Sequence, residues 1–270
     1  MLSRVSGRQV RRAVKRGLAA VPRSSRSTGT TILIYHRVGG GTPDELDLAT
    51  EEFVDHLELL ASNRVVSLDA ALDELAAGDD SPKVVLTFDD GFADVYDTAW
   101  PLLRDSGLPF TIYVATAYIG GTMHWAGSTA TVPGQGLTWA QLEELAASPL
   151  VTIGNHTHTH ARPELLSAEE LDRCTQVLEE RLGIVPAHFA FTWGVPVPAA
   201  QGLLRERFRS AATGLVGRNH PDTDPLHLHR VPVRNSDPLP FFAAKLDGGL
   251  WAEHAYDRIV RAAKRVGVKA

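Results

Sequence analysis

Two short segments of this 270-residue chain hold side chains that could bind a metal and activate water. The first is Asp89-Asp90-Gly91, which follows the apolar run 83–88. Adjacent side chains point in different directions there, so one carboxylate can bind a metal while its neighbour faces the attacking water. An aspartate in such a place also serves as a helix N-cap, but one carboxylate would suffice for that. The pair therefore indicates metal binding or catalysis.

The second segment contains three histidines within five residues, His156, His158 and His160. If the chain turns helically there, His156 and His160 lie one turn apart on one face, where two imidazoles can share a metal ion. His158 then lies on the opposite side. If the segment stays extended, all three share a face. Pro163 limits any helix to about one turn. A polar loop whose histidines cap backbone groups is the alternative without a metal.

Asp90, His156 and His160 together make a set of two histidines and one carboxylate with room for water. A divalent metal bound there would lower the pKa of bound water towards ~7 and polarise a carbonyl oxygen. Asp89 would act as the general base on that water, and the neighbouring cation would keep it ionised. Non-haem iron oxygenases use the same kind of ligand set. They need a second co-substrate site and are usually all-β, so the sequence favours a hydrolase.

Strands alternate with helices along the sequence, which predicts an α/β protein with a mostly parallel sheet. The predicted strands are 31–35, 64–67, 83–88, 110–115, 150–153, 188–191, 210–216 and 228–233. The predicted helices are 51–61, 68–77, about 91–105, 139–147, 168–182, 197–209 and 252–266. Thr50, Ser67, Thr138 and Ser167 are expected to cap four of them, the last two in capping boxes with Gln141 and Glu170. Seven or eight such units favour a closed or nearly closed barrel.

Polar residues follow the predicted strands at their carboxyl ends. His36, Asp89-Asp90, His156, Trp193 and Arg234 each lie at the end of a different strand. Catalytic residues of α/β barrels gather at this rim. Five separate segments are therefore expected to direct their chemistry to one face.

From about Ile32 to Arg234 the chain resembles the polysaccharide deacetylases of carbohydrate esterase family 4, the NodB-homology group. The similar segments are 33–38, 87–92 and 154–160. The resemblance implies a distorted (β/α) barrel of about seven strands, which we assign to residues 31–270 as a single domain. It also implies hydrolysis of acetyl groups on an N- or O-acetylated glycan.

The same resemblance implies roles for four residues. Asp89 would be the base, while Asp90, His156 and His160 would bind one divalent ion, zinc or a similar metal. Two alternatives remain for the activity: a non-catalytic carbohydrate-binding protein on the same fold, and an amidase or imidase that acts on another C–N bond.

The sequence departs from the family pattern after the histidine segment. Members often carry an Arg-x-x-Tyr-Gly-like segment, whereas residues 190–194 read Ala-Phe-Thr-Trp-Gly. Ala190 stands where the base-orienting arginine is expected, and Arg230 or Arg234 would have to replace it. Trp193 can supply an aromatic wall and a backbone N–H for the oxyanion. We assign Trp193, Arg230 and His36 to substrate binding.

The catalytic acid is ambiguous. The family's acid is a histidine in a Leu-x-His-like segment, and residues 226–229 read Leu-His-Leu-His. Period-2 alternation puts His227 and His229 on one face, and we choose His229 because it is nearer to the strand. His36 is a rival acid or a substrate ligand.

Residues 1–30 differ in character from the rest. They contain eight basic residues and no acidic one, so the remainder is more acidic than the net charge of −5 indicates. An acidic body is a poor nucleic-acid binder. We interpret 1–30 as a basic extension, either a frayed tail or an amphipathic helix over 2–21 that contacts a membrane surface. With no signal peptide or membrane span recognised, a cytoplasmic or peripheral membrane location is expected. The oligomeric state is not predicted.

Overall fold

A parallel sheet forms the centre of the molecule, for which we have a computed structural model describing residues 7–21, 28–247 and 250–265. Its strands run β6-β5-β4-β3-β2-β1-β7, with every neighbouring pair parallel. They are β1 (Thr30–Tyr35), β2 (Lys83–Phe88), β3 (Phe110–Val114), β4 (Val151–Asn155), β5 (His188–Ala190), β6 (Ser210–Ala212) and β7 (Val231–Pro232). The predicted α/β architecture with seven strands in a distorted barrel is confirmed.

Helices surround this sheet. They are α1 (Gly7–Ala19), α2 (Thr50–Leu60), α3 (Leu68–Ala76), α4 (Trp100–Asp105), α5 (Trp139–Ala146), α6 (Ala168–Leu182), α7 (Gln201–Arg207), α8 (Leu239–Leu246) and α9 (Trp251–Arg265). Strands β1 and β2 are buried along their whole length, as expected where helices cover both faces of a parallel sheet. No helix in the described ranges is long and apolar enough to span a bilayer.

One segment near the end of the chain closes the curl of the sheet. Leu228 forms a bridge with Ala212 in β6, and the Arg230 N–H donates to the Leu215 carbonyl at 3.0 Å. Two residues further on, β7 pairs with β1. The segment 228–232 therefore spans the gap between the two edges of the sheet and brings Arg230 to the centre of the barrel mouth.

The predicted helix caps are partly confirmed. Ser67 accepts a hydrogen bond from the Ala70 N–H, and Thr138 forms a complete capping box with Gln141. The prediction for Thr50 is wrong, since it is the first helical residue and Ala49 is the N-cap.

The remaining differences concern elements with little pairing. The predicted strand 64–67 is reduced to a single bridge at Val65, and the strands predicted at 210–216 and 228–233 contract to β6 and β7. Helix α8 was not predicted. Its start contains Pro238 and Pro240 and lacks the alternation of polar and apolar residues that is typical of a surface helix.

Helix α1 packs against α8 and α9. Val14 and Leu18 contact the apolar cluster of Phe241 and Tyr256, and Lys15 is fully buried. The interpretation of residues 1–30 as an extension outside the domain is therefore corrected for α1, because its apolar side is covered by the domain. Residues 1–6 and 22–27 of that extension lie outside the described residues.

Candidate metal centre and active site

Three side chains converge at the carboxyl ends of β2 and β4. Asp90 Oδ1 lies 3.3 Å from His156 Nε2 and 3.2 Å from His160 Nε2. The ligand atoms lie within 4.8 Å of one another, and the three residues are buried. The structure thus brings together the predicted metal-binding set.

The orientation of His156 tests whether this set suits a cation. Its Nδ1 lies 2.9 Å from the Ala190 carbonyl oxygen, which can only accept, so Nδ1 carries the hydrogen. In the neutral ring Nε2 then directs its lone pair towards Asp90. Two electron-rich atoms in such contact are stabilised by a positive charge between them. The donors, two imidazole nitrogens and one carboxylate oxygen, suit Zn²⁺ and similar ions.

The charge states of the side chains also indicate that the site suits a cation. Burial alone would raise the pKa of Asp90, but the close imidazoles of His156 and His160 outweigh it and hold the pKa well below its usual range. Burial opposes protonation of His156, yet Asp90 and Asp89 raise its pKa. The site therefore retains a carboxylate and attracts positive charge.

The histidine segment reaches this geometry as a loop and not as a helix. Thr157 and His160 have positive φ of 64° and 52°. His158 points elsewhere, with Nδ1 2.9 Å from Thr116 Oγ1. His156 and His160 thus face the same site and His158 does not, as a helical turn would also arrange them. The backbone that achieves this is a loop and not the helical turn.

Two polar side chains hold this loop. Asn155 Oδ1 accepts from the Thr157 N–H at 2.9 Å, and the Glu170 carboxylate accepts from the N–H groups of His158 and Thr159 at 3.0 and 2.8 Å. We predicted that Glu170 completes a capping box with Ser167. Ser167 does accept from the Glu170 N–H, but the Glu170 side chain binds the loop.

Positive φ angles at non-glycine residues cluster at the site. Beside Thr157 and His160, Asp90 has a φ of 77° and Trp193 a φ of 61°. Each such residue costs ~1–3 kcal/mol and persists only where the surroundings impose it, which is common at functional sites.

Asp89, next to the metal-binding set, is held by a buried arginine. Arg230 Nη1 and Nη2 donate to Asp89 Oδ1 and Oδ2 at 2.7 and 2.8 Å. Arg230 Nε donates to the Thr213 carbonyl at 2.8 Å, which fixes the guanidinium. Burial would raise the pKa of Asp89, but Arg230 outweighs it and the pKa is lowered. Asp89 is therefore ionised and rigidly oriented.

This contact identifies the residue that stands in for the arginine missing at Ala190. We predicted Arg230 or Arg234, and it is Arg230. Arg234 also lines the cavity, but its Nη1 binds Glu253 at 2.6 Å. The assignment of Arg230 to substrate binding is corrected, because both of its Nη groups bind Asp89.

Two of the remaining predicted residues line the same cavity of about 610 Å³. His36, at the end of β1, has a buried Nδ1 with no hydrogen-bond partner among the described residues. Burial lowers the pKa of His36, and Asp90 and Asp89 offset this only in part. Trp193 is 41% exposed, and its ring centroid lies 5.5 Å from that of His160.

The predicted acid His229 does not line this cavity. It lies beside Gly217, with its ring 6.0 Å from that of His227. Successive residues of an extended segment point to opposite sides, so a chain that directs Arg230 inwards directs His229 outwards. The assignment of His229 is corrected accordingly, and His36 is the candidate that the cavity contains.

One wall of the cavity was not predicted from the sequence. Trp125 lies in the segment 117–137, to which no strand or helix was assigned from the sequence, and its ring stacks on His160 with centroids 4.1 Å apart. The Thr131 N–H donates to Asp44 Oδ2 at 2.9 Å and ties this loop across the mouth. An isolated tryptophan in a glycine-rich loop was the available signal.

One buried aspartate and two buried histidines lie beside an arginine-held carboxylate at the mouth of an α/β barrel, an arrangement that suits a hydrolase. Residues 76–201, which contain Asp89, Asp90 and both histidine ligands, match the family model for polysaccharide deacetylases. YxkH of Bacillus subtilis (strain 168), named as a polysaccharide deacetylase, is 31% identical over 135 residues. The alignment covers 48% of this chain and 42% of YxkH, so it spans less than half of that relative.

Solved structures extend the similarity over most of the chain. IcaB from Ammonifex degensii superposes with a TM-score of 0.70 and 29% identity, covering 83% of this chain and 99% of that one. The deacetylase PplD of Streptococcus pyogenes, solved with acetate, shares the fold with a TM-score of 0.68 and 20% identity, covering 82% and 99%. The resemblance to polysaccharide deacetylases inferred from the motifs of the chain is thus confirmed.

Proposed function

We propose that this protein is a metal-dependent hydrolase that removes acetyl groups from N-acetylated carbohydrate. The observation that carries the proposal is the ionised Asp89, held by Arg230, directly beside Asp90, His156 and His160. A protein that only bound a metal or a sugar would not need a buried carboxylate with its own arginine. Similarity to the polysaccharide deacetylases supports the carbohydrate substrate.

Each residue has a chemical role in this proposal. A divalent cation held by Asp90, His156 and His160, for which we favour zinc, would lower the pKa of water and polarise the acetyl carbonyl. Asp89 accepts the proton of the attacking water, and Arg230 fixes its direction. His36 donates a proton to the departing amine, while Trp193 and Trp125 exclude water and pack against the sugar.

Acetate release from a panel of acetylated glycans, with and without a chelator, tests this function. We expect release from at least one N-acetylated glycan, loss after chelation and recovery with Zn²⁺. Binding of a glycan without release would instead support the carbohydrate-binding alternative, and release of another amine or acid would support an amidase.

We further propose that the outer face of α1 contacts an anionic membrane surface. Val10 and Arg16 are exposed on this helix, and Arg258 and Ile259 are exposed on the neighbouring α9. Basic side chains near such a surface contribute ~1 kcal/mol each and are screened by salt. Val10→Ser with Arg16→Glu should reduce sedimentation with phosphatidylglycerol vesicles, whereas Arg104→Glu, exposed on α4, should not. Equal sedimentation of all three proteins would exclude this contact.

A further inference from the structure

Helix α1 forms part of the wall of the catalytic cavity. Arg11 lines this cavity together with His36 and Asp89. Its Nη2 lies 2.9 Å from a carboxylate oxygen of Glu45, which lines the same cavity. A segment that precedes the first strand of the barrel therefore presents a charged pair to whatever occupies the site.

A buried ion pair fixes the position of this helix. Lys15 Nζ lies 2.6 Å from Asp237 Oδ1 and 2.7 Å from Ser236 Oγ. The ammonium also lies over the Tyr256 ring, 4.4 Å from its centroid. Removing one partner of such a pair is strongly unfavourable, so α1 is tied to the chain that follows β7.

The other arginines at the start of the helix have a different position. Arg12 donates to Glu52 at 2.5 Å and to the Asn235 carbonyl at 3.1 Å. Arg8 reaches the same two groups at 3.5 and 3.2 Å. Neither lines the cavity, and within the described part of α1 only Arg11 does.

Glu45 is fixed from a second side. Ser236 Oγ donates to Glu45 Oε2 at 2.6 Å, and the Asn235 N–H donates to the Glu45 carbonyl at 2.8 Å. The Arg11–Glu45 pair thus lies on the β1 and β7 side of the barrel mouth, whereas His156 and His160 follow β4. A ligand that touches both must extend across the mouth.

We propose that Arg11 and Glu45 form a subsite for the sugar next to the acetylated one in an oligosaccharide, with Arg11 as a specificity-determining residue. A guanidinium donates and a carboxylate accepts hydrogen bonds. Because their charges offset each other, the pair suits the hydroxyl groups of a neutral sugar. A cavity of about 610 Å³ has room for more than one acetyl group. This inference rests on the proposed deacetylase function.

The zinc-loaded full chain and its Arg11→Ala variant test the subsite. Acetate release is measured on N-acetylglucosamine and on its β-1,4- and β-1,6-linked tetramers, and tetramer binding is measured by calorimetry. Arg8→Ala is the matched control, because Arg8 is on the same helix but outside the cavity. We expect Arg11→Ala to raise KM for a tetramer about tenfold, roughly the effect of one charge-assisted hydrogen bond. KM for the monosaccharide should change less than twofold, with kcat preserved.

Several outcomes would overturn the subsite. An equal effect of Arg11→Ala on monomer and tetramer would show a general disturbance, and an equal effect of Arg8→Ala would trace the change to the helix. Unchanged kinetics in Arg11→Ala would also exclude it. If the wild type binds a tetramer without releasing acetate and Arg11→Ala weakens that binding, the deacetylase proposal fails and the subsite stands. If it neither binds nor hydrolyses any probe, both fail.

Discussion

Arg230 binds both carboxylate oxygens of Asp89 although the two residues are 141 positions apart in the sequence. Asp89 follows β2, while Arg230 enters from the segment that closes the sheet. The proposed base therefore depends on the last part of the barrel for its charge state and direction.

This pairing predicts a shift in pH dependence. Arg230 lowers the pKa of Asp89, so Arg230→Lys, which loses the two-pronged contact, should move the acid limb of kcat/KM to higher pH and lower kcat. Arg234→Lys is the control and should leave the acid limb in place, because Arg234 lines the cavity but binds Glu253 and not Asp89. A profile that keeps its acid limb in Arg230→Lys would assign that limb to another group.

Metal binding and catalysis should separate cleanly. Asp89→Asn should keep about one metal ion per chain and lose ~10²–10⁴ in rate, the usual contribution of a positioned base. His156→Ala should lose the metal as well, because it removes a ligand. Elemental analysis with acetate release measures both, and full metal content in His156→Ala would refute the ligand set.

The proposed acid can be compared with the histidine that the structure places outside the cavity. His36→Ala should slow hydrolysis of an N-acetyl substrate by ~10²-fold or more and that of an activated acetate ester much less, because a good leaving group needs little protonation. His229→Ala should leave both rates within about twofold. If the two variants exchanged these effects, His229 would be the acid despite its position.

A buried histidine away from the site should make folding stability depend on pH. His56 stacks on Phe242 with ring centroids 3.6 Å apart, and burial lowers its pKa to about 3. In the unfolded chain its pKa is ~6.5. The stability associated with a neutral His56 is therefore complete above pH ~6.5 and is lost as pH falls towards 3, by up to ~1.4 kcal/mol per pH unit.

The measurement is the free energy of unfolding between pH 3 and 7. His56→Gln should show a shallower decline than the wild type, whereas His254→Gln, at an exposed histidine of α9, should match it. Parallel curves for all three would mean that folding does not lower the pKa of His56.

The docked N-terminal helix should contribute to stability. Lys15→Met removes one cation from Asp237, although Lys245 still contacts that carboxylate at 2.6 Å. We expect a loss of about 3 kcal/mol, the lower end for breaking a buried pair. Arg16→Ala, exposed one residue later, should change stability by less than ~0.5 kcal/mol. Denaturant unfolding compares them, and equal values would mean that α1 is not held as described.

Local patterns were sufficient to predict most of the sheet strands and the convergence of Asp90, His156 and His160. Parallel strands covered on both faces leave apolar runs such as 83–88, and the residues that follow them meet at one rim. Ser67 and Thr138 cap their helices through bonds that span only three residues. Such features depend on residues that are only a few positions apart in the sequence.

Contacts between distant segments were not predictable in the same way. Period-2 alternation could not tell which face of the segment around His229 points into the barrel. The inward face is determined by the contact of Arg230 with Asp89, which follows a distant strand. The same applies to α1, because the acidic partner of Lys15, Asp237, is more than 200 residues away.

The closing of the sheet by residues 228–232 also has a consequence for synthesis of the protein. Contacts between distant parts of a chain form late and slowly, and a growing chain that ends before Arg230 lacks the partner of Asp89. Such a nascent chain could already contain every proposed metal ligand while its base remained unpaired. Hydrolytic competence would therefore arise only after residues 228–232 had left the ribosome and closed the sheet.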